Sequence, residues 1–124
     1  MNFEKEQEYG NEEKPWMEIV RKRLKGLGEK RRSFNQGDVV ITTNGPHKFR
    51  NMAVIRKSDR GMFVLAVPSR GQEPIEMHES QLWHIDDYRK VLDEIVLKFP
   101  EMISDITDIN NNEVRPEDYG LSSN

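Results

Sequence analysis

FNQGDVVITTNGPHKFRNMAVIRKSDRGMFVLAVPSRGQEPIEMHESQLWHI, residues 34–85, holds most of the strand-forming sequence of this 124-residue chain. Its apolar runs are rich in β-branched residues, and Gly, Pro, Asn and Asp separate them, as in short strands joined by turns. The predicted strands are residues 38–43, 52–57, 62–67, 75–78 and 83–85. The third run is apolar throughout, which predicts a strand buried on both faces. Four or five strands in about fifty residues favour one small β-barrel, residues 33–85.

A basic helical segment, residues 15–32, is predicted before the barrel. Pro15 suits the first helical position. An apolar stripe follows at helical spacing, formed by Trp16, Val20, Leu24 and Leu27. Gly26 and Gly28 weaken the pattern, so the helix is expected to end near Lys25. The stripe either packs on the rest of the domain or docks into the groove of a partner.

A second, acidic helix is predicted after the barrel, over residues 86–106. Apolar residues repeat at helical spacing from Tyr88 to Phe99, and Asp86 or Asp87 is the expected N-cap. Pro100 is expected to end or kink this helix. The two helices and the strands together predict an α+β fold class.

The two ends of the chain are expected to be disordered acidic tails. Residues 1–14 and 107–124 are polar and contain too few apolar residues to offset the entropy of ordering. The chain contains no cysteine, no run of ~20 apolar residues and no secretory signal pattern. A single-domain cytoplasmic protein is therefore expected.

Charge is strongly segregated along the chain, although the net charge is only −3. Residues 15–60 carry twelve bases and four acids, whereas residues 61–124 carry five bases and thirteen acids. Solvated faces explain many charge runs. A cluster of cations is also what phosphate binding requires, because each neutralised phosphate releases counterions.

The candidate binding residues are the cations of the basic segment and of the strand region that follows it. They are Arg21, Lys22, Arg23, Lys25, Lys30, Arg31, Arg32, Lys48, Arg50, Arg56 and Lys57, with Phe49 among them. Phe49 lies between two cations, which suits a side chain that stacks on a base. The alternative is that Phe49 packs into the barrel.

No pattern in the sequence indicates catalysis or a bound metal. The one His-Glu pair, His78-Glu79, lacks the second His of a zinc-binding HExxH helix, and no G-x-S-x-G is present. Acidic pairs such as Asp86/Asp87 are explained as helix caps and solvated faces. A non-enzymatic protein without cofactor or metal is predicted.

The strand region resembles the SH3-like barrels, among them the KOW and CarD-type domains that interact with RNA polymerase. The resemblance lies in the opening Gly37-Asp38-Val39-Val40, the Gly/Pro loop, the strand Ala53-Val54-Ile55, and the close formed by residues 75–82. It implies a small binding domain whose partners in such families include RNA, DNA, peptides and RNA polymerase.

The sequence therefore predicts two alternative functions. The first is a binding protein that contacts RNA, DNA or a nucleic-acid-bound complex through its basic face, with a role in transcription regulation. The second is a protein-interaction adaptor or inhibitor that docks helix 15–25 or helix 87–99 on a partner.

Overall fold

The computed structural model describes residues 12–67 and 73–110, which form an α+β domain. The helices are α1 (Pro15–Lys25), α2 (Ile85–Lys98) and α3 (Ile103–Asn110). The strands are β1 (Val39–Thr42), β2 (Asn51–Lys57), β3 (Met62–Ala66), β4 (Ile75–His78) and β5 (Leu82–His84). Every predicted strand is present within one residue of its predicted limits. The predicted tails lie largely outside the described residues.

The strands form one antiparallel sheet in the order β4-β3-β2-β1-β5. β1 pairs with both β2 and β5, through Val40 opposite Met52 and Val40 opposite His84. A register shift interrupts the β2–β3 ladder between Val54 and Arg56. No ladder joins β4 to β5 among the described residues, so the sheet is open. The closed barrel expected from the sequence is not confirmed.

Two apolar clusters lie on opposite faces of the sheet. Val40 and Ile41 belong to different clusters, because successive side chains of a strand point to opposite faces. The helix-side cluster joins Ile41 and Trp83 of the sheet to the apolar faces of α1 and α2. The far-side cluster is formed by Val40, Met52, Val54, Phe63, Leu65, Val67 and Leu82. Burial on both faces explains the uninterrupted apolar run in β3.

The helices differ in detail from the sequence-based expectation. The N-cap of α2 is His84, whose Nδ1 accepts the Asp86 N–H at 3.1 Å, so the prediction of Asp86 or Asp87 as the cap is wrong. Asp86 and Asp87 instead occupy the first turn, where carboxylates favour the positive end of the helix dipole. α2 ends before Pro100, as predicted, and α3 continues to Asn110, beyond the predicted limit of residue 106.

One further property concerns membranes. Within residues 12–67 and 73–110, no helix combines the length and the apolar character that crossing a bilayer requires.

Candidate basic binding surface

A groove of about 660 Å³ runs between α1 and α2. We call it the basic groove; it is lined by Lys22, Arg23, Gly26, Leu27, Lys30, Arg32, Asp87, Lys90, Val91 and Glu94. Gly26 caps α1, and Gly28 adopts a left-handed φ of 53°, so the chain turns immediately after the helix. This turn brings Lys30 and Arg32 beside α2.

A second cavity, of about 360 Å³, adjoins the groove at Arg32. We call it the linker cavity; it is lined by Arg31, Arg32, Ser33, Phe34, Lys57, Phe63, His78, Glu79 and Ser80. The sheet register explains this grouping, since Lys57 pairs with Phe63 and His78 pairs with Met62 next to it. Arg32 lines both spaces, so together they form one surface.

The charge of this surface is positive. Among the described residues, seven cationic side chains and three carboxylates line it, which leaves a formal charge of +4. Four of the cations carry side-chain ammonium groups that make no hydrogen bond or ion pair with any residue that the structure describes, namely Lys22, Lys30, Lys57 and Lys90. Their ammonium groups are available to an anion from solution.

Two arginines of the basic groove are held by carboxylates of α2. Arg23 Nη1 lies 3.3 Å from Glu94 Oε1. Arg32 donates its backbone N–H to Asp87 Oδ2 at 2.9 Å, and its Nε lies 3.4 Å from Asp87 Oδ1. Asp87 is buried, so its carboxylate is a fixed partner for the chain at the junction of the two spaces.

Arg31 fastens the wall of the linker cavity. Its Nη2 donates to the carbonyl oxygens of Glu79, at 2.8 Å, and of Leu82. Its guanidinium carbon lies 4.9 Å from the centre of the Trp83 ring, within the range of a cation–π contact. These contacts hold the linker, residues 26–38 between α1 and β1, against the turn between β4 and β5.

The turn between β4 and β5 also fixes His78. Its Nδ1 accepts the Ser80 N–H at 3.1 Å and lies 2.9 Å from Ser80 Oγ. The neutral imidazole therefore carries its proton on Nε2. Gly61 (φ 76°) lies directly against this atom, because a Cβ at position 61 would be 2.9 Å from His78 Nε2.

Arg21 and Lys48, both predicted as binding residues, meet elsewhere. Successive residues are 100° apart on a helix, so Arg21 and Arg23 face opposite flanks of α1. Arg21 binds both oxygens of Glu13, at 2.8 and 2.9 Å, and Lys48 Nζ binds Glu13 Oε1 at 2.8 Å. The Arg21 and Lys48 hydrogen bonds lower the pKa of Glu13 to about 2.

Phe49 is buried rather than presented to a ligand. Its side chain is 2% exposed and packs edge-on against Trp16, with the ring centres 5.3 Å apart. Arg21 covers it, with the guanidinium carbon 5.4 Å from the ring centre. Phe49 therefore offers no open face on which a base can stack.

The remaining predicted residues lie outside the two cavities. Lys25 is exposed at the end of α1, and Arg56 is exposed on β2. Arg50 is half-buried next to His47. The pKa of His47 is lowered mainly by burial and to a smaller extent by the charge of Arg50.

Sequence reasoning missed several residues of the surface, namely Lys90, Ser33, Phe34, His78 and Ser80. Lys90 follows Asp87 by three positions and precedes Glu94 by four, a spacing that places all three on one helix face. That spacing could have placed Lys90 on the helix face that lines the groove. It was not used because the segment as a whole is acidic. His78 and Ser80 join the surface only through strand register.

The described residues contain no group of three or more His, Asp or Glu side chains arranged to hold a metal ion. The sequence matches no protein-family model, and neither curated proteins nor solved structures are significantly similar to it.

Proposed function

We propose that this protein is a non-enzymatic nucleic-acid-binding protein whose contact surface is the basic groove together with the linker cavity. The observation that supports it is that two spaces sharing Arg32 are lined by four lysines whose ammonium groups pair with no described residue, Lys22, Lys30, Lys57 and Lys90. Phosphates repeat along a nucleic-acid strand. A surface with several cations therefore complements such a strand better than it complements a single anion. Contact with RNA polymerase and a role in transcription remain predictions from the resemblance.

The adaptor function receives less support. It requires an open apolar helix face, whereas Trp16, Val20 and Leu24 of α1 pack in the helix-side cluster with the apolar face of α2. Among the described residues, only Leu97 and Ile103 are large apolar side chains that are exposed. Most exposed positions of both helices are polar, and four of them line the basic groove: Lys22 and Arg23 of α1, and Lys90 and Glu94 of α2.

The SH3-like assignment of the fold is part of the same proposal. The strand order β4-β3-β2-β1-β5 and the single 3-10 turn between β4 and β5, Glu79–Gln81, support it. Residues 31–34, the ends of β2 and β3 next to their hairpin, and the β4–β5 turn all line one cavity. The linker cavity lies where these segments meet.

The test is the salt dependence of binding to a labelled RNA and a labelled DNA, each as a single strand and as a duplex. The variant K22Q/K30Q/K90Q removes three groove cations. We expect it to weaken binding and to reduce the slope of log K against log salt by about 2, since each phosphate contact contributes about 0.7 to 0.9.

The matched control is K25Q/R56Q/K98Q, which makes the same change in net charge at exposed positions outside both cavities. We expect this control to keep the slope of the parent protein. If the two triple variants change the slope equally, the contact is not at this surface. If the parent protein binds none of the four nucleic acids at low salt, the proposed function is wrong.

A further inference from the structure

The linker cavity differs from the basic groove in its chemistry. Phe34 and Phe63 form an aromatic wall, with ring centres 5.3 Å apart and planes at 75°. Phe34 also stacks on His84, with ring centres 6.5 Å apart and planes at 25°. These contacts hold Phe34 in one orientation at the cavity wall. A site for phosphate alone has no need of an aromatic wall.

Two polar side chains, His78 and Ser80, also line the cavity. In the neutral imidazole, His78 Nδ1 accepts from Ser80 and Nε2 carries the proton against Gly61, while the Ser80 hydroxyl that bonds Nδ1 retains lone pairs. Both side chains are exposed on the turn between β4 and β5. The edge of a nucleobase presents donors and acceptors in the same way, and its face stacks on aromatic rings.

The volume of the cavity and the cations that line it also suit a nucleotide. A volume of about 360 Å³ lies at the lower end of the range for small-ligand sites. Lys57 lines the cavity, and Arg32 lines both the cavity and the basic groove. A base inside the cavity would leave its phosphates next to these cations.

We propose that the linker cavity binds one unpaired nucleobase while the basic groove carries the adjoining phosphates, so that the preferred ligand is a single strand. This inference rests on the proposed function and specifies its substrate class. A paired base is stacked inside a duplex and reaches such a cavity only after it is unstacked. The protein therefore discriminates against duplexes.

Fluorescence anisotropy with the full chain tests this inference. The probes are labelled oligothymidylate and oligouridylate of about twelve nucleotides, a length within the site sizes of single-strand binders. Competitors are the duplex of each probe with its complement, and inorganic polyphosphate. We expect the single strands to bind at least about tenfold more tightly than the duplexes, and polyphosphate to compete poorly. The two probes compare DNA with RNA, and they also differ in the 5-methyl group of thymine.

Phe34→Leu keeps an apolar side chain against Phe63 but removes the stacking face. We expect it to weaken single-strand binding about 5- to 160-fold with an unchanged salt slope. Ser80→Ala is a second variant at an exposed position, with an expected loss of about 2- to 12-fold. It keeps the inference testable if the Phe34 variant does not fold.

The outcomes separate the two proposals. If duplexes or polyphosphate bind as tightly as single strands, or if both variants bind as the parent does, the base site is wrong while the proposed function stands. If no nucleic acid binds, the proposed function itself fails.

Discussion

At the residue scale, Glu13 is the most heavily engaged acidic side chain near the start of α1. It bridges Arg21 of the helix and Lys48 of the loop between β1 and β2. Arg21 also donates from Nε to the Thr43 carbonyl at 3.0 Å and covers Phe49. Two cations that the sequence offers as ligand contacts therefore hold the segment before α1 to the sheet.

The variant Glu13→Gln tests this role through pH. The folded-state pKa of Glu13, about 2, lies below its ordinary value of 4.5. The carboxylate therefore stabilises the fold fully above about pH 4.5, and this contribution is lost as the pH falls towards 2. We expect E13Q to lower the free energy of unfolding by about 0.5–1 kcal/mol at pH 7, a modest cost because the pair is partly solvated.

Urea unfolding at pH 7, 5, 4 and 3 measures this difference, which should shrink below pH 5. Glu12→Gln is the matched control, because Glu12 forms no ion pair with a described residue. A difference between E13Q and the parent that stays constant over this pH range would contradict the bridge.

At the element scale, α1 and its following linker are joined to α2 by polar contacts as well as by the helix-side cluster. The Arg32 N–H donates to Asp87, and Arg23 pairs with Glu94 about two turns further along the same face of α2. Asp87 is buried, whereas Asp86, the next residue in sequence, is exposed. The linker is consequently positioned mainly by the buried carboxylate of Asp87, while Asp86 makes only an exposed contact, with its Oδ2 3.8 Å from Arg32 Nη1.

Asp87→Ala leaves the Arg32 N–H without this partner. We expect the variant to lose about 1.5–3 kcal/mol of stability, the net contribution of a hydrogen bond to a charged group. Asp86→Ala is the control and should stay within about 0.5 kcal/mol of the parent. Chemical denaturation at pH 7 compares the two, and equal losses would mean that the Asp87 contact does not fix the linker.

At the scale of the whole molecule, a single sheet separates two apolar clusters. Both tryptophans, Trp16 and Trp83, lie in the helix-side cluster, and the far-side cluster contains none. β1 and β5 supply residues to both clusters. The two clusters should therefore unfold together as one cooperative unit.

Met52→Ala, in the far-side cluster, tests this coupling at a distance from either tryptophan. Met52 is fully buried, so we expect a loss of about 2–5 kcal/mol. Tryptophan fluorescence and far-UV circular dichroism should shift to the same lower midpoint. Leu97→Ala, at an 84% exposed position, should leave both midpoints unchanged. A fluorescence midpoint that stays in place in M52A would show that the clusters unfold separately.

The sequence predicts the elements better than it predicts their contacts. The strand limits and the Trp16–Leu24 stripe follow from local periodicity, and Pro100 ends α2 as expected. The cap of α2 was mispredicted because His84 was assigned only to a strand, although its imidazole accepts the Asp86 N–H.

The sequence does not show which cations line the basic groove and which lie elsewhere, because this depends on the carboxylate with which each cation pairs. Arg21 meets Glu13 eight positions away, whereas Arg23 meets Glu94 across seventy-one.

The contact between Gly61 and His78 links two positions that are far apart in sequence. The imidazole occupies its place only because residue 61 carries no Cβ, and the φ of 76° at that residue independently favours glycine. The hairpin between β2 and β3 thus restricts which side chains are tolerated on the β4–β5 turn. In evolutionary terms substitutions at the two positions are coupled. A larger residue at 61 is compatible only with a smaller or displaced side chain at 78.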